Sequence, residues 1–291
     1  MKPFTNEQLE TIEIESNKFK EKIPVIVCKP RILTDDSNIF IFSNGLSGNN
    51  TTAQNMNYPF FESNYLISYE KAGHGNNKNK PSQRIKFYLK ELDEVVNWVK
   101  SNFSNRKIYL IGESWGSNIG FVYYFKNKKK VDGCVAWNMP CKIVDISGKK
   151  GKQKFITSFK TLISLVLNIS TFDNYPSFTT DKLSTNKVLI RLKKIETSDQ
   201  FKLNFKSSLA VWKFGHKSWK QIIKNANRQD LNFIYIQSKN DVLADWKKWN
   251  KLSNKDTNKI HSIFLDDGHH ILSFETNMTA KLFDEVQKII K

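Results

Sequence analysis

Lys107-Ile108-Tyr109-Leu110-Ile111-Gly112-Glu113-Ser114-Trp115-Gly116-Ser117 is the stretch on which the fold turns. A short apolar run leads into a G-x-S-x-G pattern, and Ser117 to Phe125 reads as a helix. The turn is too sharp for side chains at Gly112 and Gly116, and its strain lifts the Ser114 hydroxyl clear of the strand. A helix starting there offers its first N–H groups, and the positive end of its dipole, to a developing negative charge. Ser114 is therefore read as a nucleophile. A serine that only caps a helix would account for Ser114 but for neither glycine.

Working outward, Leu9–Glu15 alternates polar and apolar residues as a half-buried strand does, and Ile23–Cys28 reads as its hairpin partner. Runs at Ile39–Phe42, Tyr65–Tyr69, Val131–Trp137, Asn232–Ile236 and Ile260–Leu265 are nearly continuous in apolar residues, as strands buried on both faces are. Ile85 to Phe103 carries apolar residues at three- and four-residue spacings, and Leu272 to Ile290 reads as a further helix. Alternating strands and helices predict an α/β fold, a mostly parallel sheet with helices on both faces. From Lys142 to Asp230 no core strand is evident, which predicts a mainly helical insertion at one edge of the sheet.

At this point the chain resembles the α/β-hydrolase family. Gly112-Glu113-Ser114-Trp115-Gly116 matches its nucleophile elbow, and Ser43-Asn44-Gly45-Leu46-Ser47-Gly48 stands where the family carries a His-Gly oxyanion loop. Tyr69-Glu70-Lys71-Ala72-Gly73-His74-Gly75 is similar to its Asp-x-x-Gly-His-Gly loop. Asn44 replaces the usual His and Glu70 the usual Asp. The resemblance implies an α/β-hydrolase core over residues 1–141 and 231–291, with 142–230 as the variable cap. It also implies the backbone N–H groups of Leu46 and Trp115 as the oxyanion hole, and a structural role for His74.

The family order is nucleophile, acid, base. Asp241 follows the next-to-last strand in a stretch resembling the family's G-x-x-D loop, with Ser238 in the Gly position. Asp245, its competitor, falls at the start of the next helix. After the last strand, Gly268-His269-His270 offers two bases. The family's Gly-His register, with Glu275 nearby, selects His269 and leaves His270 as a loop residue. The expected machinery is thus Ser114, Asp241 and His269, needing no metal or organic cofactor.

The 291 residues carry 46 Lys+Arg against 28 Asp+Glu, a formal net charge of +18. With 39% hydrophobic and 13% aromatic residues there is material for a sizeable core, and a disordered chain is excluded. Arg is confined to Arg31, Arg84, Arg106, Arg191 and Arg228, which counts against a dedicated nucleic-acid binder. Residues 142–230 hold 18 Lys+Arg and 6 Asp+Glu, a net +12, so attraction to an anionic membrane surface is a secondary expectation. No segment has the length and apolarity of a membrane span, and no apolar signal core opens the chain, so a cytoplasmic location is expected. Cys28, Cys134 and Cys141 are too few and scattered for a disulfide framework. The resemblance implies hydrolysis of carboxylic esters, in the manner of monoacylglycerol lipases, lysophospholipases and carboxylesterases. Thioester hydrolysis uses the same machinery. A proline iminopeptidase-like activity ranks lower, because a basic cap suits a substrate ammonium poorly. An intact Ser, Asp and His in order argues against a purely binding role.

Overall fold

The computed structural model describes residues 4–16, 21–45, 48–56, 58–77, 84–141, 205–225, 227–228, 231–241, 244, 246–255, 260–271, 273 and 276–290. Each expected strand forms: β1 (Leu9–Ser16), β2 (Glu21–Cys28), β3 (Ile39–Ser43), β4 (Tyr65–Tyr69), β5 (Ile108–Glu113), β6 (Gly133–Trp137), β7 (Phe233–Ser238) and β8 (His261–Leu265). They join in one sheet of order β1-β2-β4-β3-β5-β6-β7-β8. The β1–β2 hairpin and the β2–β4 pair are antiparallel, and β4, β3, β5, β6, β7 and β8 run parallel. The α/β-hydrolase architecture with a mostly parallel sheet is therefore present.

The alternation of side chains along the strands builds two cores. Ile39, Ile41, Ile108 and Leu110 face one layer, where they meet helix α2 (Ile85–Asn102), helix α3 (Trp115–Lys126) and Phe214 and Ile222 of helix α4 (Phe205–Asn225). Phe40, Phe42, Tyr109 and Ile111 face the other, where they meet Ala53 of the short helix α1 (Asn50–Gln54) and Leu282, Phe283 and Val286 of the last helix. Helix α5 (Trp246–Ser253) lies between β7 and β8, and its Trp249 stacks on Tyr235 with ring centroids 3.4 Å apart. The last helix, α6, spans Thr276–Ile289, starting later than the expected Leu272. Ser273, ahead of it, is bonded to the end of β5.

Of the expected insertion, residues 142–204 lie outside the described residues. Its C-terminal stretch forms α4, which packs on α3 through Phe214 against Trp115 and through a hydrogen bond from Asn118 Nδ2 to Ser218 Oγ of 3.1 Å. No helix among the described residues is long and apolar enough to cross a membrane.

Phe283 holds α6 to the sheet. It is fully buried and touches Phe60, Phe61, Tyr58 and Trp137, with ring centroids 4.7 to 5.5 Å away. Phe283→Ala should lower the unfolding free energy by about 3–5 kcal/mol, read from denaturant titration. Phe283→Leu should cost markedly less, because it keeps most of the buried volume.

Candidate active site

Ser114 is the single residue between β5 and α3. Its backbone sits at φ 55°, ψ −121°, a region that non-glycine residues rarely adopt and that stores strain. The two flanking glycines are imposed by close approach. A Cβ on Gly116 would lie 1.9 Å from the Ser43 carbonyl oxygen and 2.4 Å from that of Asn44. A Cβ on Gly112 would lie 2.6 Å from Ser117 N. The turn is tied sideways to β6: Ser114 N–H donates to the Trp137 carbonyl at 2.9 Å, and Trp137 N–H donates to Ser117 Oγ at 2.9 Å.

The imidazole in contact with this hydroxyl is that of His270. Its Nε2 lies 2.8 Å from Ser114 Oγ, and its Nδ1 lies 2.9 Å from both carboxylate oxygens of Asp241. A carboxylate only accepts, so Nδ1 carries the proton and Nε2 is left to accept from the Ser114 hydroxyl. Asp241 and His270 are buried, whereas Ser114 is half-buried and open on one side. The expectation of His269 is thus corrected by one residue. The backbone carbonyls of both histidines turn toward Asn138, and in that orientation only the second ring enters the gap between Ser114 and Asp241. The Gly-His register points to the first of two adjacent histidines, and the direction each ring takes is not a property of that register. Asp241 is the carboxylate in contact with His270, and Asp245 lies outside the described residues.

Buried polar side chains that the sequence does not single out hold the three in place. The Glu113 carboxylate accepts from Ser273 N at 2.9 Å and from Ser273 Oγ at 3.0 Å, joining the elbow to the histidine loop. Gln237 Nε2 donates to Asp241 Oδ2 at 3.3 Å, and Ala244 N–H donates to Oδ1 at 3.0 Å. Asn138 bridges the loops after β7 and β8. Two of the thiols are sealed away from this site's chemistry: burial pushes Cys28 up to about 12 and raises Cys134 as well.

A family model described as alpha/beta hydrolase fold matches residues 66–276. The chain belongs to the α/β-hydrolase family. A soluble variant of monoglyceride lipase from Saccharomyces cerevisiae is similar in structure, at 13% identity and a TM-score of 0.73, with 100% of this chain and 98% of that one covered. A thermostable carboxyl esterase from Bacillus coagulans is similar at 12% identity and a TM-score of 0.67, with 97% and 99% covered. The monoacylglycerol lipase of Paleococcus ferrophilus is similar at 14% identity and a TM-score of 0.65, with 97% and 98% covered. At these identities the likeness is one of fold. A search of curated protein sequences finds no match.

In this α/β-hydrolase fold, the side of the elbow facing β3 is also built from buried polar groups. Trp115, the first residue of α3, is wedged by His74, Tyr88 and Phe214, with ring centroids 5.7, 4.9 and 6.2 Å away. Leu46 lies outside the described residues. Its neighbour Gly45 lies against Ser114, where a Cβ would be 3.4 Å from Ser114 Cβ. The Asn44 carbonyl accepts from the fully buried Lys71 ammonium at 2.8 Å, and Asn44 Nδ2 donates to Ser68 Oγ at 3.0 Å. Glu70 folds the following loop, accepting from Asn50 N at 3.2 Å and Asn76 N at 2.5 Å; burial raises its carboxyl above the ordinary range. Gly75, at φ +49°, leaves room for that carboxylate.

His74 lies within this loop, and its ring stacks on Trp115 with 22° between the planes. Burial, with the Lys71 charge beside it, holds His74 well below the ordinary imidazole value of 6.5, so it is neutral in the native state. The unfolded chain takes up a proton there near pH 6.5 and the folded chain does not, so stability falls as pH drops below that value. The slope from this one group is at most about 1.4 kcal/mol per pH unit. Denaturant unfolding at pH 7.5, 6 and 5 should show the decline in the wild type. It should be shallower in His74→Gln, which has no proton to gain.

Proposed function

We propose that this chain is a serine hydrolase of carboxylic esters. The observation that carries the reading is the continuous chain of contacts from Ser114 Oγ through His270 to Asp241 at 2.8 and 2.9 Å. His270 takes the Ser114 proton as the hydroxyl oxygen attacks the acyl carbon, and Asp241 keeps the imidazole in the required tautomer and stabilises the imidazolium. The tetrahedral oxyanion is held by the backbone N–H groups of Trp115 and Leu46, and Lys71 fixes the Asn44 carbonyl at the start of the same loop. The imidazolium then gives its proton to the leaving alcohol. Water, deprotonated by His270, releases the acid from the acyl-enzyme. The similar lipase and esterase structures support an ester as substrate, and a thioester would pass through the same steps.

The proposed cap spans residues 142–230, and α4 packs its C-terminal part against α3. The proposal places the enzyme in the cytoplasm and extends to its surface charge. Helix α4 carries Lys206, Lys213, Lys217, Lys220 and Lys224 and no acidic residue. Lys213, Lys220 and Lys224 are exposed, and burial together with the neighbouring Lys126 lowers Lys217. Such a face favours an anionic lipid surface, at roughly 1 kcal/mol per nearby lysine, screened beyond about 8 Å at physiological salt. Turnover of an ester carried in anionic vesicles should fall as salt rises, while turnover of a soluble neutral ester should barely change. Equal salt dependence for both would refute the attraction.

Ser114→Ala and His270→Ala should each lower kcat on p-nitrophenyl esters by at least about 10^4-fold, and Asp241→Asn by about the same factor. His269→Ala should stay within about threefold of wild type. A fluorophosphonate probe should label Ser114, identified by peptide mass. Full turnover by Ser114→Ala would refute the reading.

A further inference from the structure

Asn138, the residue after β6, adopts φ 45°, a left-handed conformation that asparagine tolerates better than most residues. Its side chain is fully buried and makes several bonds across the ends of three strands. Nδ2 lies 2.7 Å from the His269 carbonyl, 2.9 Å from the His270 carbonyl and 3.2 Å from Ser238 Oγ. Oδ1 accepts from Ser238 N–H at 2.8 Å, and the Asn138 backbone N–H donates to the Ile236 carbonyl at 2.9 Å. Ser238 ends β7, and its carbonyl accepts from Asp241 N–H at 3.3 Å. One amide thus grips the backbone of the acid's turn with its oxygen and the backbone of the base with its nitrogen. The residue before it, Trp137, accepts from Ser114 N–H.

We propose that Asn138 is a positioning residue for the reaction, setting the reach of His270 to Ser114 and its register against Asp241. The inference rests on the proposed Ser114–His270–Asp241 machinery. Two loops of separate origin must meet with tolerances of tenths of an ångström, and Asn138 is bonded to Ser238 at the acid's turn and to the backbone of His270 itself. Its donor end also decides which histidine enters the site. With the carbonyls of residues 269 and 270 drawn to one nitrogen, the His270 ring is directed to the nucleophile. Asn138 touches neither Ser114 Oγ nor the imidazole, so its effect is on the frequency of the reactive geometry rather than on substrate affinity.

The test uses Asn138→Gly, which keeps the left-handed backbone and removes the amide, and Asn138→Asp, which keeps the acceptor for Ser238 N–H but sets a carboxylate against two carbonyls. Rates are taken per folded molecule, well below each thermal midpoint, with Ser114→Ala assayed beside them. The expected result for both variants is a kcat about 10- to 100-fold lower with KM within about threefold, and fluorophosphonate labelling slowed in proportion to kcat. A wild-type kcat per folded molecule in either variant, whatever the loss of thermal stability, overturns the inference. If that occurs while Ser114→Ala is inactive, the machinery stands and only the clamp fails. If Ser114→Ala turns over like wild type, the machinery fails and takes the clamp with it.

Discussion

The approach of the chain after β3 to the turn between β5 and α3 is the constraint on which the site depends. Carbonyl oxygens of Ser43 and Asn44 lie where any side chain at position 116 would have to stand. That contact forbids a Cβ, brings the chain after β3 against Ser114, and leaves Ser114 in a strained conformation. Strain of this kind persists only where its surroundings over-determine it. Here they do, through the Ser114 N–H bond to β6, the Ser117 bond to the same strand and the aromatic wedge around Trp115.

The sheet supplies the rest by arithmetic of direction. Six parallel neighbouring strands end at one edge, so the loops after β3, β5, β6, β7 and β8 converge there although their sequence positions are far apart. The two cores on opposite faces make that edge rigid, with α3 on one side and α6 on the other. Buried polar residues complete the junctions between loops. Glu113 joins the elbow to the histidine loop, Gln237 joins β7 to Asp241, and Asn138 joins the acid's turn to the base. Buried polar groups are costly unless bonded, and these have partners in the loops they link.

Burial also separates the histidines by role. His74 is sealed under the loop after β4, beside Lys71, and is kept neutral as packing. His270 is buried yet reaches the half-buried Ser114, setting an imidazole nitrogen beside its hydroxyl. His269, one residue earlier, contributes its carbonyl to Asn138.

The sequence by itself determined the strands, the helices after β4 and β5 and the sharp turn at Ser114, because each is a local property. Alternating apolar residues mark a strand wherever it packs, and two glycines around a serine between a strand and a helix specify a sharp turn with no help from distant residues. Asp241 was legible for a similar reason, as an acid just past a strand end. The choice between His269 and His270 was not local. A one-residue step along a loop reverses which ring faces the sheet edge, and that step is set by the Asn138 amide, more than a hundred residues away in sequence. Likewise no local pattern pairs Glu113 with Ser273, which the fold sets against its carboxylate. Tertiary structure decided these points because a loop's side-chain direction is fixed by what its backbone bonds to, and those partners come from other strands.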